Sequence, residues 1–283
     1  MNMSNAKILF LGTGTSEGVP RISCLIDKNK SCKVCSDSVK INSKNRRRNT
    51  SILIQHKNKN IIIDAGKTFY DSSLNFFPKN NVTSIDGLII THAHADAIGG
   101  LDDLRDWTNN TQKNIQVYLR EIDYKVVDKM FFYLTKKEYF SKGGVAKLNF
   151  NIITSNTFEI ENIKFTPIPV FHGKTNIIFG YKFGNTAYIS DVSEIPENSK
   201  KYLYNLDLLI IDALRPEKTH GTHFTLEQAI EKIKYFNPKK ALFTNATHDI
   251  DHSKVNKKLE KLSDINLDVS YAHDGLIQKV FID

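Results

Sequence analysis

Eleven short β-rich runs constrain how this chain can fold. They read KILFLG, SILIQ, NIIIDAG, GLIITH, NIQVYL, IKFTPIPV, GYKF, TAYISD, LDLLIIDA, KALFT and LDVSYA. Several, such as Leu208-Leu209-Ile210-Ile211, are apolar at every position rather than at alternate ones, as in strands covered on both faces. Helix-like segments border the strand blocks in both halves. Thr225 and Gln228 have capping-box spacing and predict a helix start. A second helix is expected from Ser253, with Val255, Leu259 and Leu262 at helical spacing. This order predicts an α/β fold, an αββα sandwich of two mixed sheets with helices on the outer faces. With 283 residues, no internal repeat and no low-complexity linker, one domain over 1–283 is expected. Residues 24–49 carry few apolar side chains and read as a long irregular excursion.

Composition narrows the class. Hydrophobic residues at 40% and charged residues at 25% exclude a disordered chain. The longest apolar runs are only a few residues, so no membrane span is expected. Ile8 to Leu11 is too short for a signal-peptide core, which leads us to expect a cytoplasmic protein. The net charge of +8 suits an anionic partner, either a phosphorylated metabolite or a nucleic acid, although much of the excess is Lys scattered among Asn. Cys24, Cys32 and Cys35 sit within twelve positions and, being three, cannot pair off completely. In a reducing compartment such clustering points to metal.

The chemistry concentrates at strand ends. His92-Ala93-His94-Ala95-Asp96 directly follows GLIIT. In an extended segment residues i and i+2 point the same way, so His92, His94 and Asp96 can converge on Zn²⁺, Mn²⁺ or Fe. Three more strands end in a potential ligand, namely His172, Asp191 and His248. One such end is commonplace; four in series make a site on rigid elements. His223 precedes a predicted helix start, and His220 lies three positions before it. His273 stands at a strand end, and His56 reads as ordinary surface. Arg46-Arg47-Arg48, Arg105 and Arg215 are the basic groups available to an anionic substrate. Gly12, Gly14 and Gly18 lack the spacing of a nucleotide fingerprint and suit a tight loop instead.

In order, HxHxD, a lone His, a lone Asp and a last His resemble the metallo-β-lactamase fold hydrolases. LGTGTSEGVPRISC, the nearby cysteines and RRNTS resemble the branch containing phosphoribosyl cyclic phosphodiesterase. The resemblance implies one metal on His92, His94, His172 and Asp191, and a second on Asp96, the bridging Asp191 and His248. A metal-activated water would then attack phosphorus, with His223 protonating the leaving group. The family's motif ends in Asp-His where this chain has Asp96-Ala97, leaving the second metal one nitrogen short. It also implies a structural zinc on Cys24, Cys32 and Cys35, with His252 the nearest candidate for the fourth ligand. The expected activity is therefore a metal-dependent phosphodiesterase, Zn²⁺ or Mn²⁺ loaded, acting on a small anionic substrate. An RNA-processing nuclease, a thioester or lactone hydrolase, and a metal-bearing binding protein are the competing readings; a homodimer is compatible with all of them.

Overall fold

The computed structural model describes residues 4–139, 144–261 and 267–282. Fourteen strands form two sheets of seven. The first contains β1 (Ser4–Gly12), β2 (Ser51–His56), β3 (Lys59–Ile63), β4 (Gly87–Ile89), β5 (Ile115–Arg120) and β6 (Leu148–Ile153) in sequence order, with β14 (Ile277–Ile282) beside β1. The second runs from β7 (Phe158–Ile160) through β8 (Ile163–Phe171), β9 (Ile177–Phe183), β10 (Thr186–Ile189), β11 (Leu208–Asp212) and β12 (Lys240–Thr244) to β13 (Asp268–Tyr271). Each sheet is antiparallel at one side and parallel at the other, across β3 to β6 and β10 to β13.

Strand alternation explains the continuous apolar runs. Ile8 and Phe10 of β1 meet Leu208 and Ile210 of β11 in the core between the sheets. Their neighbours Leu209 and Ile211 pack outward on Leu226, Ala229, Ile233 and Phe236 of the helix Leu226–Phe236. Leu9 and Leu11 join the other outer core with Phe69, Ile98 and Leu101. Three apolar layers therefore separate four layers of structure, and the expected αββα order is present. Each fully buried Ile or Leu contributes about 1.5–3 kcal/mol.

Local signals hold where side chains bond to backbone. Thr225 Oγ1 accepts from Gln228 N at 3.2 Å, and Gln228 Oε1 accepts from Thr225 N at 2.9 Å, closing the capping box. The later helix is His252–Leu259, capped by Asp251; Leu262 lies outside the described residues. Two expectations change. The 24–49 excursion is not wholly irregular, because short helices cover Ile22–Ile26 and Lys33–Ser38. His56 is buried at the end of β2 rather than exposed.

The RRNTS arginines are structural. Arg47, 2% exposed, donates to Thr13 Oγ1 and to the Ala272 carbonyl, both at 2.9 Å. Thr13 in turn donates to Asp274, which also accepts from Arg48 N. Together they tie the first loop to the last. No helix among the described residues is long and apolar enough to cross a membrane.

Candidate metal centre

The site lies where strands of both sheets end. β4 delivers His92 and His94, β8 delivers His172, and β10 delivers Asp191. Behind β3, Asp64 adopts a left-handed backbone, φ 66°, and turns its buried carboxylate toward Thr91. Gly66 follows; a Cβ there would stand 1.9 Å from the Asp96 carbonyl oxygen, so only glycine lets this loop lie against the motif.

Hydrogen bonds fix the imidazoles. Thr91 has one hydroxyl hydrogen, given to Asp64 at 2.8 Å, so its oxygen accepts from His92 Nδ1–H at 2.9 Å. His92 Nε2 therefore carries the lone pair. It is buried without a hydrogen-bond partner, 3.3 Å from Asp191 Oδ2. His172 Nδ1 donates to the Thr222 carbonyl at 2.9 Å, which frees its Nε2 as well. The ring centroids of His92, His94 and His172 lie 4.5–5.3 Å apart, and their ligand nitrogens fall within 4.8 Å of one another.

Electrostatics favour a cation here. Burial drives His92 well below the ordinary histidine range, and burial followed by nearby His223 takes His172 to about 4, so both rings are neutral donors. Burial pushes the Asp64, Asp191 and Asp212 carboxyls up, with like-charged neighbours adding to the shift at Asp64 and Asp191. Ligands about 2.1 Å from a tetrahedral ion stand about 3.4 Å apart, close to the spacing between His92 Nε2 and Asp191 Oδ2. The donor set fits a divalent transition metal.

The other carboxylate oxygen of Asp191 is engaged differently. Its Oδ1 accepts from Asn245 Nδ2 at 2.5 Å and lies 3.8 Å from His223 Nδ1. His223 Nδ1 in turn donates to Asp212 Oδ2 at 2.8 Å. Burial lowers the His223 pKa, but the Asp212 carboxylate, helped by Asp191 and Asp96, outweighs that and holds it at about 9. His223 is thus a charged proton donor at neutral pH. Asp96 lines a cavity of about 10 Å³ with Thr50, Asp64, His92, Ala97, Ser190 and Asp191.

The expected ligand sets change at two positions. His248 does not join the imidazole cluster. Its Nδ1 stands 3.4 Å from Cys24 Sγ and 3.3 Å from Cys32 Sγ, and it completes a four-residue group with Cys35. Sulfur and nitrogen ligands of tetrahedral zinc are separated by about 3.6 Å. His252, expected there, points elsewhere: its Nδ1 lies 3.4 Å from Arg47 Nη2 and its Nε2 3.2 Å from Asn256 Nδ2. His252 begins a helix, while His248 lies on the loop against which the distant cysteines come to rest. His248 Nε2 also meets Arg21 Nη1 at 2.8 Å. A guanidinium only donates, so this contact places the ring hydrogen on Nδ1. Metal on Nδ1 would require the other tautomer and release Arg21 to its ion-pair partner Glu17.

The basic candidates divide. Arg105 is ion-paired to Asp102 on an outer surface groove beside Trp107, apart from the imidazoles. Arg215 donates to the carbonyls of Lys218 and Thr219, closing the loop that leads to His220 and His223. His273 packs on His252 and does not join the imidazole cluster. Sequence reasoning missed Asp64, Thr91 and Asn245 and considered Asp212 only as a substitute for the missing second-metal histidine. Only Asp64 and Asp212 gave a signal, as acids ending the strands NIIID and LLIID.

Comparisons with known proteins identify the family and the fold. Residues 59–245 match the beta-lactamase superfamily domain. The crystal structure of a new diphosphatase from the PhnP family superposes with a TM-score of 0.85 at 31% identity, covering 99% of each chain. Human tRNase Z, short form, superposes at 0.63 with 15% identity, covering 96% of this chain and 98% of that one; this likeness is of fold alone. Among curated proteins, an octanoyltransferase of Porphyromonas gingivalis is 28% identical over 270 residues, 95% of this chain and 51% of its own length. The chain thus spans about half the length of that relative.

Proposed function

The chain belongs to the beta-lactamase superfamily and, within it, to the PhnP family, and from that membership we propose a metal-dependent phosphodiesterase acting on a small phosphorylated metabolite. The observation that carries this reading is the buried His92 Nε2 lone pair, held without a partner opposite Asp191 and beside two further imidazoles. The resemblance to a diphosphatase over 99% of both chains supports phosphorus chemistry.

His92, His94, His172 and Asp191 would hold Zn²⁺ or Mn²⁺. When bound, the ion supplies Lewis acidity toward a phosphoryl oxygen and toward water. The chain's own groups do the rest. Asp64 and Thr91 lock His92 in the tautomer that presents Nε2. Asp96, on the wall of the small cavity, orients the attacking water. His223, its Nδ1 engaged by Asp212, gives the Nε2 proton to the leaving alkoxide. Arg215, at the base of the His220–His223 loop, provides positive charge for the substrate's phosphate. Cys24, Cys32, Cys35 and His248 would hold a structural zinc that fastens the 24–49 excursion to the loop after β12.

Turnover of bis(p-nitrophenyl) phosphate and of a small panel of cyclic phosphodiesters by metal-loaded protein tests the reading. Hydrolysis that His92→Ala abolishes is expected. Activity unchanged in that variant, or no phosphodiester cleaved by the loaded wild type, would overturn it.

A further inference from the structure

The two oxygens of Asp191 face different chemistry, and the difference bears on how many ions this centre takes. Oδ2 stands 3.3 Å from His92 Nε2, the spacing of two ligands around one ion. Oδ1 has a hydrogen bond instead, from Asn245 Nδ2 at 2.5 Å. Two oxygens assign the donor end of that amide: besides Asp191 Oδ1, Nδ2 faces the Ser190 carbonyl at 3.3 Å, while its third neighbour, His223 Nδ1 at 3.1 Å, turns its own hydrogen to Asp212. An amide N–H₂ has no lone pair to offer a metal. The position that would have to yield a ligand for a second ion on Oδ1 therefore offers hydrogens.

The remaining surroundings repeat the pattern. Ala97 presents a buried methyl group, packed with the outer core and lining the 10 Å³ cavity beside Asp96. His223 and Asp212 are 2.8 Å apart, a hydrogen-bond length and well under the roughly 3.4 Å separation of two ligands on one ion. Asp212 Oδ2 is further occupied by the Val192 N–H at 3.0 Å. His248 is committed to the cysteines. Asp191, Asp212 and His223 bring three polar atoms within 4.8 Å of one another, and Asp212 Oδ1 is buried without a hydrogen-bond partner, but the ring nitrogen among them spends its hydrogen on Asp212 Oδ2; Asp96 lines the small cavity alongside.

We infer that this centre binds one divalent ion per chain, with the Asn245 amide and the His223 imidazole standing where a second cation would otherwise neutralise Asp191. The inference rests on the reading of His92, His94, His172 and Asp191 as ligands. In chemical terms, a fixed amide donor and an imidazole N–H held by Asp212 stand where a second Lewis acid would.

Counting Mn²⁺ in the purified, Mn²⁺-loaded full chain, together with its low-temperature electron paramagnetic resonance spectrum, tests this without reference to turnover. The wild type should carry an isolated six-line Mn²⁺ signal, and His92→Ala should lose one Mn²⁺ per chain. Two ions lost, or an exchange-coupled pair in the wild type, would overturn the inference and leave the ligand reading standing. No ion lost would overturn both. Asn245→Asp, which exchanges a donor for a ligand at constant size, should raise the count toward two; an unchanged count in a folded Asn245→Asp/Ala97→His protein would show that these positions do not set the number.

Discussion

Thr91 gives both its backbone N–H and its hydroxyl hydrogen to the Asp64 carboxylate, each at 2.8 Å. Neither residue is among the proposed ligands, yet together they decide which nitrogen of His92 carries the lone pair. Asp64→Asn keeps the left-handed backbone, which Asn tolerates, but faces Thr91 with an amide in place of two acceptor oxygens. We expect metal affinity to fall about 10–100-fold with the fold retained. Competition with a chromogenic chelator measures the first, and circular dichroism the second.

His223 should set the alkaline limit of activity. Its folded pKa, about 9, lies above the ordinary histidine value of 6.5. The proton donor is therefore present through neutrality and lost as pH rises through about 9. Stability follows the same sign, fully present below 6.5 and declining as pH rises through the folded value. A pH profile of kcat/KM should show this limb, and Asp212→Asn should move it to lower pH. His223→Gln should cost about 10²–10⁴ in rate, most for substrates with poor leaving groups.

The two histidines near the cysteines make opposite predictions. His248→Ala should release about one zinc per chain, whereas His252→Ala should leave zinc content unchanged. Cys35 is buried, and burial pushes its thiol up to about 12. Without metal it stays protonated, so zinc uptake at pH 7 should expel protons. Zinc analysis by mass spectrometry and proton release in weak buffer check both.

Asp274 is the acidic partner of two buried guanidiniums. It lies 3.2 Å from Arg48 Nη1 and accepts from Thr13, which accepts from Arg47. Asp274→Ala would leave Arg48 with Asp71 alone, 2.5 Å away, and remove the carboxylate that Thr13 links to the buried Arg47; breaking a buried pair costs about 3–5 kcal/mol. The melting temperature should drop on the order of 10 °C, measured by calorimetry on zinc-replete protein.

Much of this was legible in the sequence. Strand runs apolar at every position required two covered faces, and the Thr225–Gln228 spacing located a helix start to the residue. The imidazole cluster was readable because i and i+2 positions at a strand end converge whatever the rest of the chain does. His248 and His252 were exchanged for the opposite reason. Both lie four residues apart after one strand, and their destinations depend on where a distant loop, Cys24 to Cys35, comes to rest. Asn245 gave no signal, since its role comes from its distance to Asp191, 54 residues away in sequence. Arg47 and Arg48 resembled substrate-binding groups because sequence shows charge but not burial.

His92 and His94 follow a strand of the first sheet, whereas His172 and Asp191 follow strands of the second. Neither half of the chain holds all four of the proposed ligands, so an ion held by them would rivet one half to the other. It would bind tightly only after the sheets have docked face to face, and by mass action it would then stabilise that docked state over any state in which they part. Loading would thus be an inspection step for assembly, passed only by molecules whose two halves have closed in register.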